Sequence, residues 1–249
     1  MTFKYSESEL NSLEEMQSCQ RLGPYLSETN GDLKKAIHLY ERNTLLSQAF
    51  YRPLQGLEVA FRNTIHNQLT KAFQREDWWC VAAIGILKSR QANALLSILE
   101  RLHEQEVQKQ RKLLKLKKKE EIPFGHSIPA PLPGKVVAEL SFGFWVGIIG
   151  PGYSESLWMP HLHKAFPNTK QSRSDCHKPL NKIRLFRNRI AHHEPIFTRN
   201  LKYDYSLILE IIGWINEDAA RWVRHTSRFE EAYYGTGIEG LLNKYIRKV

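Results

Sequence analysis

Apolar residues recur three and four positions apart along most of this chain, and this spacing constrains the fold more than any other feature. The segment from Asp32 to Phe50 shows the pattern, and so does the run that opens at Pro53, where proline suits the first turn of a helix. Further helices are predicted from Lys88 to Lys119 and from Tyr203 to Arg224. Alternation with a period of two, which is typical of strands, is weak throughout. The sequence therefore predicts an all-α fold.

The middle of the chain holds the most apolar run and the clearest loop. The run from Val136 to Ile149 predicts one buried helix, because it is too short to span a bilayer comfortably and contains Glu139. Residues 122–134 hold four prolines and two glycines, which exclude a regular element. We expect residues 109–134, a basic helix end and this loop, to form an internal linker. A short helix is predicted around Leu157–Phe166.

The ends of the chain suggest a simple domain organisation. Residues 1–29 are predicted to form a polar N-terminal extension or helix, and residues 30–249 a single helical domain. The first residues are polar and acidic, unlike a signal peptide. The three cysteines are odd in number and widely spaced, which favours a reducing compartment over a disulfide framework. We expect a cytoplasmic protein that makes no membrane contact.

The net charge of +10 and the isoelectric point of about 9.5 indicate a polyanionic partner, nucleic acid or an anionic surface. Seven cations and no acid lie between Lys109 and Lys119. Two interpretations stay open for this stretch: a solvated helix end or arm, or an arm that contacts phosphates. On the second interpretation the RNA-binding residues are Lys112, Lys115, Lys117, Lys118 and Lys119.

The residues that can carry chemistry lie on a helix predicted from near Ser172, capped by Ser174 or Asp175, to about His193. At about 100° per residue, one stripe of this helix is apolar. Arg187 falls inside that stripe, where an arginine is costly unless a buried carboxylate or an anion in a cleft pairs with it. The apolar members of the stripe are Leu180, Ile183, Phe186 and Ile190.

Beside Arg187, Asn188 and His192 are four residues apart and share an adjacent face of the helix. Histidine transfers protons near neutral pH, arginine clamps phosphate oxygens, and asparagine can orient either group. RNA carries its own nucleophile, the 2′-hydroxyl, so these three residue types suffice for cleavage without a metal. The alternative is a core helix whose Arg187, Asn188 and His192 satisfy buried carbonyls, and the spacing by itself does not decide between them.

The segment FRNRIAHHEPIF, from Phe186 to Phe197, resembles the signature of the Abi-like (abortive infection) proteins, a bacterial branch of the HEPN superfamily. That signature has Arg, a polar residue that is often Asn, three further residues and His. Arg187, Asn188 and His192 match it position for position. Three further stretches are similar to the family: GLEVAFRNTIHNQL (56–69), LSFGFWVGII (140–149) and WMPHLHKAFPN (158–168).

The resemblance implies a HEPN-type helical bundle with additional N-terminal and inserted helices. It implies that two copies pair as a homodimer, with their motifs facing each other in a composite site. It further implies a metal-independent RNA endonuclease of phage defence or of a toxin–antitoxin system, with no cofactor and with an antitoxin or regulatory RNA as a further partner. The alternative is a non-catalytic HEPN module that binds RNA or protein.

Residues next to the motif receive supporting roles. His193 lies about 100° around the helix from His192, and we expect it to be supporting or structural. Arg184 and Arg189 flank the motif. They either track the RNA backbone as positive rim charges or are simply solvated.

A shorter echo of the motif begins at Phe61, where Arg62 and Asn63 are followed by His66, one residue too early for the family pattern. Glu58 precedes Arg62 by four residues, so an ion pair along the helix is available. One interpretation is a helix that this pair stabilises. The other is a polar ladder that lines the cleft near Arg187.

Other classes of site have little support in the sequence. His161 and His163 point apart on a helix, and Cys176 with His177 has no spaced partner pair, so no zinc site is predicted. No glycine-rich phosphate loop is present in the sequence. The pair Trp78–Trp79 is interpreted as core rather than as a base-stacking platform.

Overall fold

The computed structural model describes residues 5–82, 85–117, 120–123 and 127–235. These residues form helices and connecting turns with no strand among them, so the predicted all-α class is confirmed. Lys118 and Lys119 of the predicted RNA-binding set lie outside the described residues. No helix within the described ranges is long and apolar enough to cross a membrane.

The first half of the chain holds six helices among its described residues: α1 (Glu7–Gln17), α2 (Cys19–Glu28), α3 (Leu33–Ala49), α4 (Tyr51–Phe73), α5 (Trp79–Ala82) and α6 (Ser89–Leu113). The second half holds α7 (Pro133–Glu139), α8 (Phe142–Ile148), α9 (Arg173–Ala191), α10 (Leu201–Ile215), α11 (Glu217–Thr226) and α12 (Phe229–Tyr234). Between α8 and α9 the backbone forms three short turns: 3₁₀ at Pro151–Tyr153, π at Ser154–Trp158 and 3₁₀ at Leu162–Ala165.

Side-chain caps explain where several helices begin. Ser6 and Glu9 form a capping box at the start of α1. Asp32 caps α3 by accepting the Lys35 N–H at 3.0 Å. The cap of α9 is Ser172, whose hydroxyl accepts the Asp175 N–H at 3.3 Å. The prediction of Ser174 or Asp175 as this cap is therefore wrong by two or three residues.

Two segments predicted as single helices are each divided in two. The Val136–Ile149 run breaks at Leu140, which is extended, because the Ser141 hydroxyl accepts the Phe144 N–H and starts α8. The Tyr203–Arg224 run breaks at Asn216. Asparagine favours helix boundaries, and the acidic residues that open α11 suit the positive end of a helix dipole.

Two further predicted boundaries need correction. The helix expected to reach Lys119 ends at Leu113, and Lys115 adopts a φ of 55°. Like charges one turn apart disfavour continuing a helix through so many cations. The helix expected around Leu157–Phe166 is replaced by π and 3₁₀ turns. Pro160 interrupts it, since proline lacks the N–H that an α-helix needs.

Packing divides the chain into two compact units. The first comprises the described residues up to Gly56, Leu185–Glu210, and the described residues from Asp218 onward. The second comprises the described residues of Leu57–Arg184, with Ile211–Glu217. A unit defined by packing is not the same as an independently folding domain. The predicted domains, 1–29 and 30–249, therefore stay a prediction.

Each unit has its own aromatic core. In the first, Phe50 packs edge-on against Phe186 of α9 at a centroid distance of 4.7 Å, and at 4.9 Å against Phe229. In the second, Phe61 lies 6.0 Å from Phe142, and Trp78 lies 6.3 Å from Trp145. Trp78 and Trp79 are buried, which confirms their interpretation as core.

Candidate functional site

The end of α9 carries the predicted catalytic residues, all three within the first unit. Phe186, fully buried, anchors this end of the helix. Arg187 and Asn188 are half-buried on its last turns, and His192 is exposed directly after the last helical residue. The His192 N–H still donates to the Asn188 carbonyl at 2.9 Å, so helical hydrogen bonding reaches the histidine. The predicted end at about His193 is thus right to within two residues.

The chain reverses immediately after His192. His193 has a φ of 55°, its N–H donates to the Ile190 carbonyl at 3.0 Å, and the Glu194 N–H donates to the Arg189 carbonyl at 2.8 Å. These two bonds form a Schellman motif, in which glycine usually takes the left-handed position. A histidine there is strained, so the rest of the structure must hold the turn in place.

One side chain that holds this turn comes from α2. Arg21 Nη1 donates to the His193 carbonyl at 2.8 Å and to the His192 carbonyl at 3.4 Å, across 171 and more positions of sequence. Carbonyls at a helix C-terminus lack partners within the helix, and a cation there is favoured by the helix dipole. Sequence reasoning missed Arg21, because nothing near it in the sequence indicates this contact.

Side chains of α9 and α3 bind the backbone of the segment after His193. Arg189 Nη2 donates to the Pro195 carbonyl at 2.8 Å. Its Nε lies 3.3 Å from the Glu194 carboxylate, though without the geometry of a hydrogen bond. The buried Asn43 of α3 accepts the Ile196 N–H at 2.7 Å. We call residues 192–197 the histidine loop.

An ion pair at the start of α10 lies against the end of α9. Arg199 binds both carboxylate oxygens of Asp204 at 2.9 Å, and its guanidinium lies 4.9 Å from the ring centre of Phe186. Asp204 is only 1% exposed. A charge at this depth needs its partner, so the pair helps to fix the packing of the helix that carries the motif.

The structure places the predicted RNA-binding cations as follows. Arg189 folds back onto the histidine loop, whereas Arg184, in the second unit, donates its Nε to Asn181 at 2.9 Å. Lys112, Lys115 and Lys117 are exposed at and beyond the end of α6. An RNA-binding role for each of these stays a prediction.

The echo of the motif lies on α4, in the second unit. Arg62 Nε donates to the neighbouring Asn63 at 3.3 Å. His66 Nδ1 accepts the indole N–H of the buried Trp78 at 3.1 Å. Glu58 is half-buried, and its pairing with Arg62 stays a prediction, as does the polar ladder near Arg187. His66 therefore has a structural contact that the sequence did not indicate.

Protonation of His66 is expected to destabilise the protein. Burial lowers the pKa of His66 from its ordinary value of 6.5, while Glu76 opposes the shift. The unfolded chain therefore binds this proton more readily. The stabilisation is complete above about pH 6.5 and declines as the pH falls through and below that value. In His66→Asn, which keeps an acceptor but cannot titrate, the free energy of unfolding measured with urea between about pH 7.5 and pH 5 should fall less steeply.

A matched control for that measurement is His103→Asn on α6, where the histidine is exposed. It should show the same pH dependence as the unaltered protein. If His66→Asn also keeps the full dependence, protonation of His66 does not weaken the fold.

Two other kinds of site have little support. Within the described ranges, no group of His, Cys, Asp and Glu is placed to hold a metal ion. Burial, with a smaller effect of Asp175, raises the pKa of Cys176 to about 11, which makes this thiol a poor nucleophile.

A sequence model of the family described as "Abi-like protein" matches residues 10–198. The chain belongs to this family. The match to the Abi-like family covers α2, which supplies Arg21, as well as the whole of α9 and the histidine loop. No curated protein and no solved structure matches the chain.

Proposed function

We propose that this Abi-like protein is a metal-independent RNA endonuclease that acts in abortive infection or in a toxin–antitoxin system. Its site combines Arg187, Asn188 and His192 from each of two copies of the chain. The observation that carries the proposal is the placement of His192: the imidazole is exposed at the end of α9, on a backbone turn that Arg21 holds from another helix. Exposure gives access to a large substrate, and a fixed backbone gives a defined position for proton transfer.

The proposed reaction uses the 2′-hydroxyl of RNA. One imidazole takes the proton of that hydroxyl, the 2′-oxygen attacks phosphorus, and the bond to the 5′-oxygen breaks. A second imidazole gives its proton to the leaving 5′-oxygen, while arginine stabilises the charge on the phosphorane. The products are a 2′,3′-cyclic phosphate and a 5′-hydroxyl, and the reaction needs no added oxidant, water or metal.

The need for two imidazoles is the reason to propose a dimer. Each chain carries one residue that fits the histidine position of the family signature. A second copy supplies the second histidine together with a second arginine. The net charge of +10 favours RNA as the substrate.

The deciding experiment incubates the purified protein with an RNA oligonucleotide in excess EDTA. We expect cleavage that leaves 2′,3′-cyclic phosphate ends. A matched oligonucleotide with 2′-deoxyribose at the scissile position should stay intact, because it lacks the nucleophile. Cleavage of the deoxy substrate, or a strict need for a divalent metal ion, would contradict the proposal. Tight RNA binding without any product would favour the alternative, a non-catalytic RNA-binding module.

A further inference from the structure

We infer that Arg21 is a positioning residue for His192, so that α2 forms part of the candidate active site. This inference rests on the proposed function and deepens it. It gives a role to a helix inside the segment that the sequence predicts as an N-terminal extension. Arg21, α2 and the histidine loop all lie in the first unit.

The first support is the hydrogen bonding of Arg21. Its Nη1 reaches the carbonyls of both His192 and His193, at 3.4 and 2.8 Å. A peptide carbonyl turns with the ψ of its own residue, so these bonds restrict the backbone on both sides of the left-handed His193. The Cα of His192, from which the imidazole projects, is therefore fixed by a guanidinium outside the motif.

The second support is a contact one turn further along α2. Tyr25 lies four residues after Arg21, hence on the same face of the helix. Its ring packs against Phe197, the last residue of the histidine loop, at a centroid distance of 5.2 Å. One face of α2 thus holds the beginning of the loop through Arg21 and its end through Tyr25.

The third support is that α2 is itself firmly anchored. Leu22 and Tyr25 of α2 and Ala36 and Ile37 of α3 form a buried apolar cluster. The half-buried side chain of Arg21 extends from this anchored helix to the histidine loop. A rigid support matters for catalysis, because a displacement of about 1 Å in a catalytic group can lower a rate about 100-fold.

Arg21 acts through His192 and not on the substrate, and this predicts a particular kinetic pattern. Loss of the guanidinium should lower kcat and leave KM nearly unchanged, since RNA binding depends on other groups. A residue that merely stabilises the fold would instead lower the melting temperature and the fraction of active protein.

The experiment compares Arg21→Met, which keeps the aliphatic stem, with Arg21→Lys, which keeps a charged donor, and with the control Arg90→Met on the exposed surface of α6. Two quantities are measured: the kinetics of RNA cleavage, and hydrogen exchange of the backbone amides of residues 190–194, 196 and 197. In Arg21→Met we expect kcat to fall about 10- to 100-fold with KM within about twofold, and loop exchange to rise about tenfold. Arg21→Lys should recover part of both, and Arg90→Met should change neither.

The exchange measurement separates this inference from the proposed function. If the unaltered protein does not cleave RNA, the proposed function fails, while faster exchange in Arg21→Met still supports Arg21 as the residue that holds the loop. Unchanged exchange in Arg21→Met overturns the inference whatever the activity. Faster exchange with an unchanged kcat overturns the positioning role, and equal losses in Arg90→Met would have the same effect.

Discussion

Replacing His192 with alanine is expected to lower the rate of RNA cleavage by about 10²- to 10⁴-fold, the contribution usual for general acid–base catalysis. In a composite dimer the change removes both imidazoles at once, so the loss should lie towards the upper end. The side chain is exposed, so its removal leaves no cavity in the core. RNA binding, measured by fluorescence anisotropy with a 2′-deoxy analogue, should stay within about threefold because the cations remain.

The matched control is His103→Ala, which removes another exposed imidazole, from α6. It should cleave at the rate of the unaltered protein and melt at the same temperature. Cleavage by His192→Ala at the rate of the unaltered protein would show that His192 is not a catalytic residue. Equal losses in both variants would point to a general effect of charge or folding.

The buried face of α9 could be predicted from the sequence because burial itself creates the pattern. Leu180, Ile183 and Phe186 recur at helical spacing, and all three are fully buried. The same spacing placed Arg187 inside that stripe and Asn188 on the adjacent face, and in the structure both side chains are half-buried. The placement of the motif at a helix end also followed from the sequence, since Pro195 disfavours helix in the residue before it.

The two helices that were wrongly predicted as continuous each contain a local signal for the break, which the apolar pattern outweighed. Ser141 can cap a helix at the point where α8 begins, although apolar residues continue across it. Asn216, with acidic residues after it, indicates a boundary in the same way. Hydrophobic periodicity indicates which residues are buried. It does not show where one helix ends and the next begins when the apolar spacing continues through the boundary.

The contacts that support the candidate site could not be predicted, because they join residues far apart in sequence. Arg21 meets the carbonyl of His193 across 172 positions, and Asn43 meets Ile196 across 153. Backbone carbonyls and amides are present at every residue, so a contact to them leaves no recognisable residue pattern. The turn at His193 could not be predicted either, because the usual sequence signal of such a turn is glycine and this position holds histidine.

Replacing Arg199 with methionine is expected to destabilise the protein by about 3 kcal/mol. The change leaves the carboxylate of Asp204, whose side chain is 2% exposed, without the partner that binds both its oxygens. Breaking a buried pair in this way usually costs about 3–5 kcal/mol. The low end applies because the side chain of Arg199 is 24% exposed, which lets water approach the site. Urea unfolding followed by circular dichroism measures the change.

Two further variants show whether burial is the cause. Arg221→Met breaks an ion pair with Asp218 whose side chains are 73% and 80% exposed, and it should cost less than about 1 kcal/mol. The double change Arg199→Met with Asp204→Leu should regain much of the loss, because an apolar pair needs no compensating charge. If Arg199→Met is no worse than Arg221→Met, the buried pair does not stabilise the fold more than an exposed one. Arg199 also packs over Phe186, the residue before Arg187. If Arg199→Met does lower the free energy of unfolding, the cleavage rate of the fraction that stays folded therefore tests whether the change also disturbs His192.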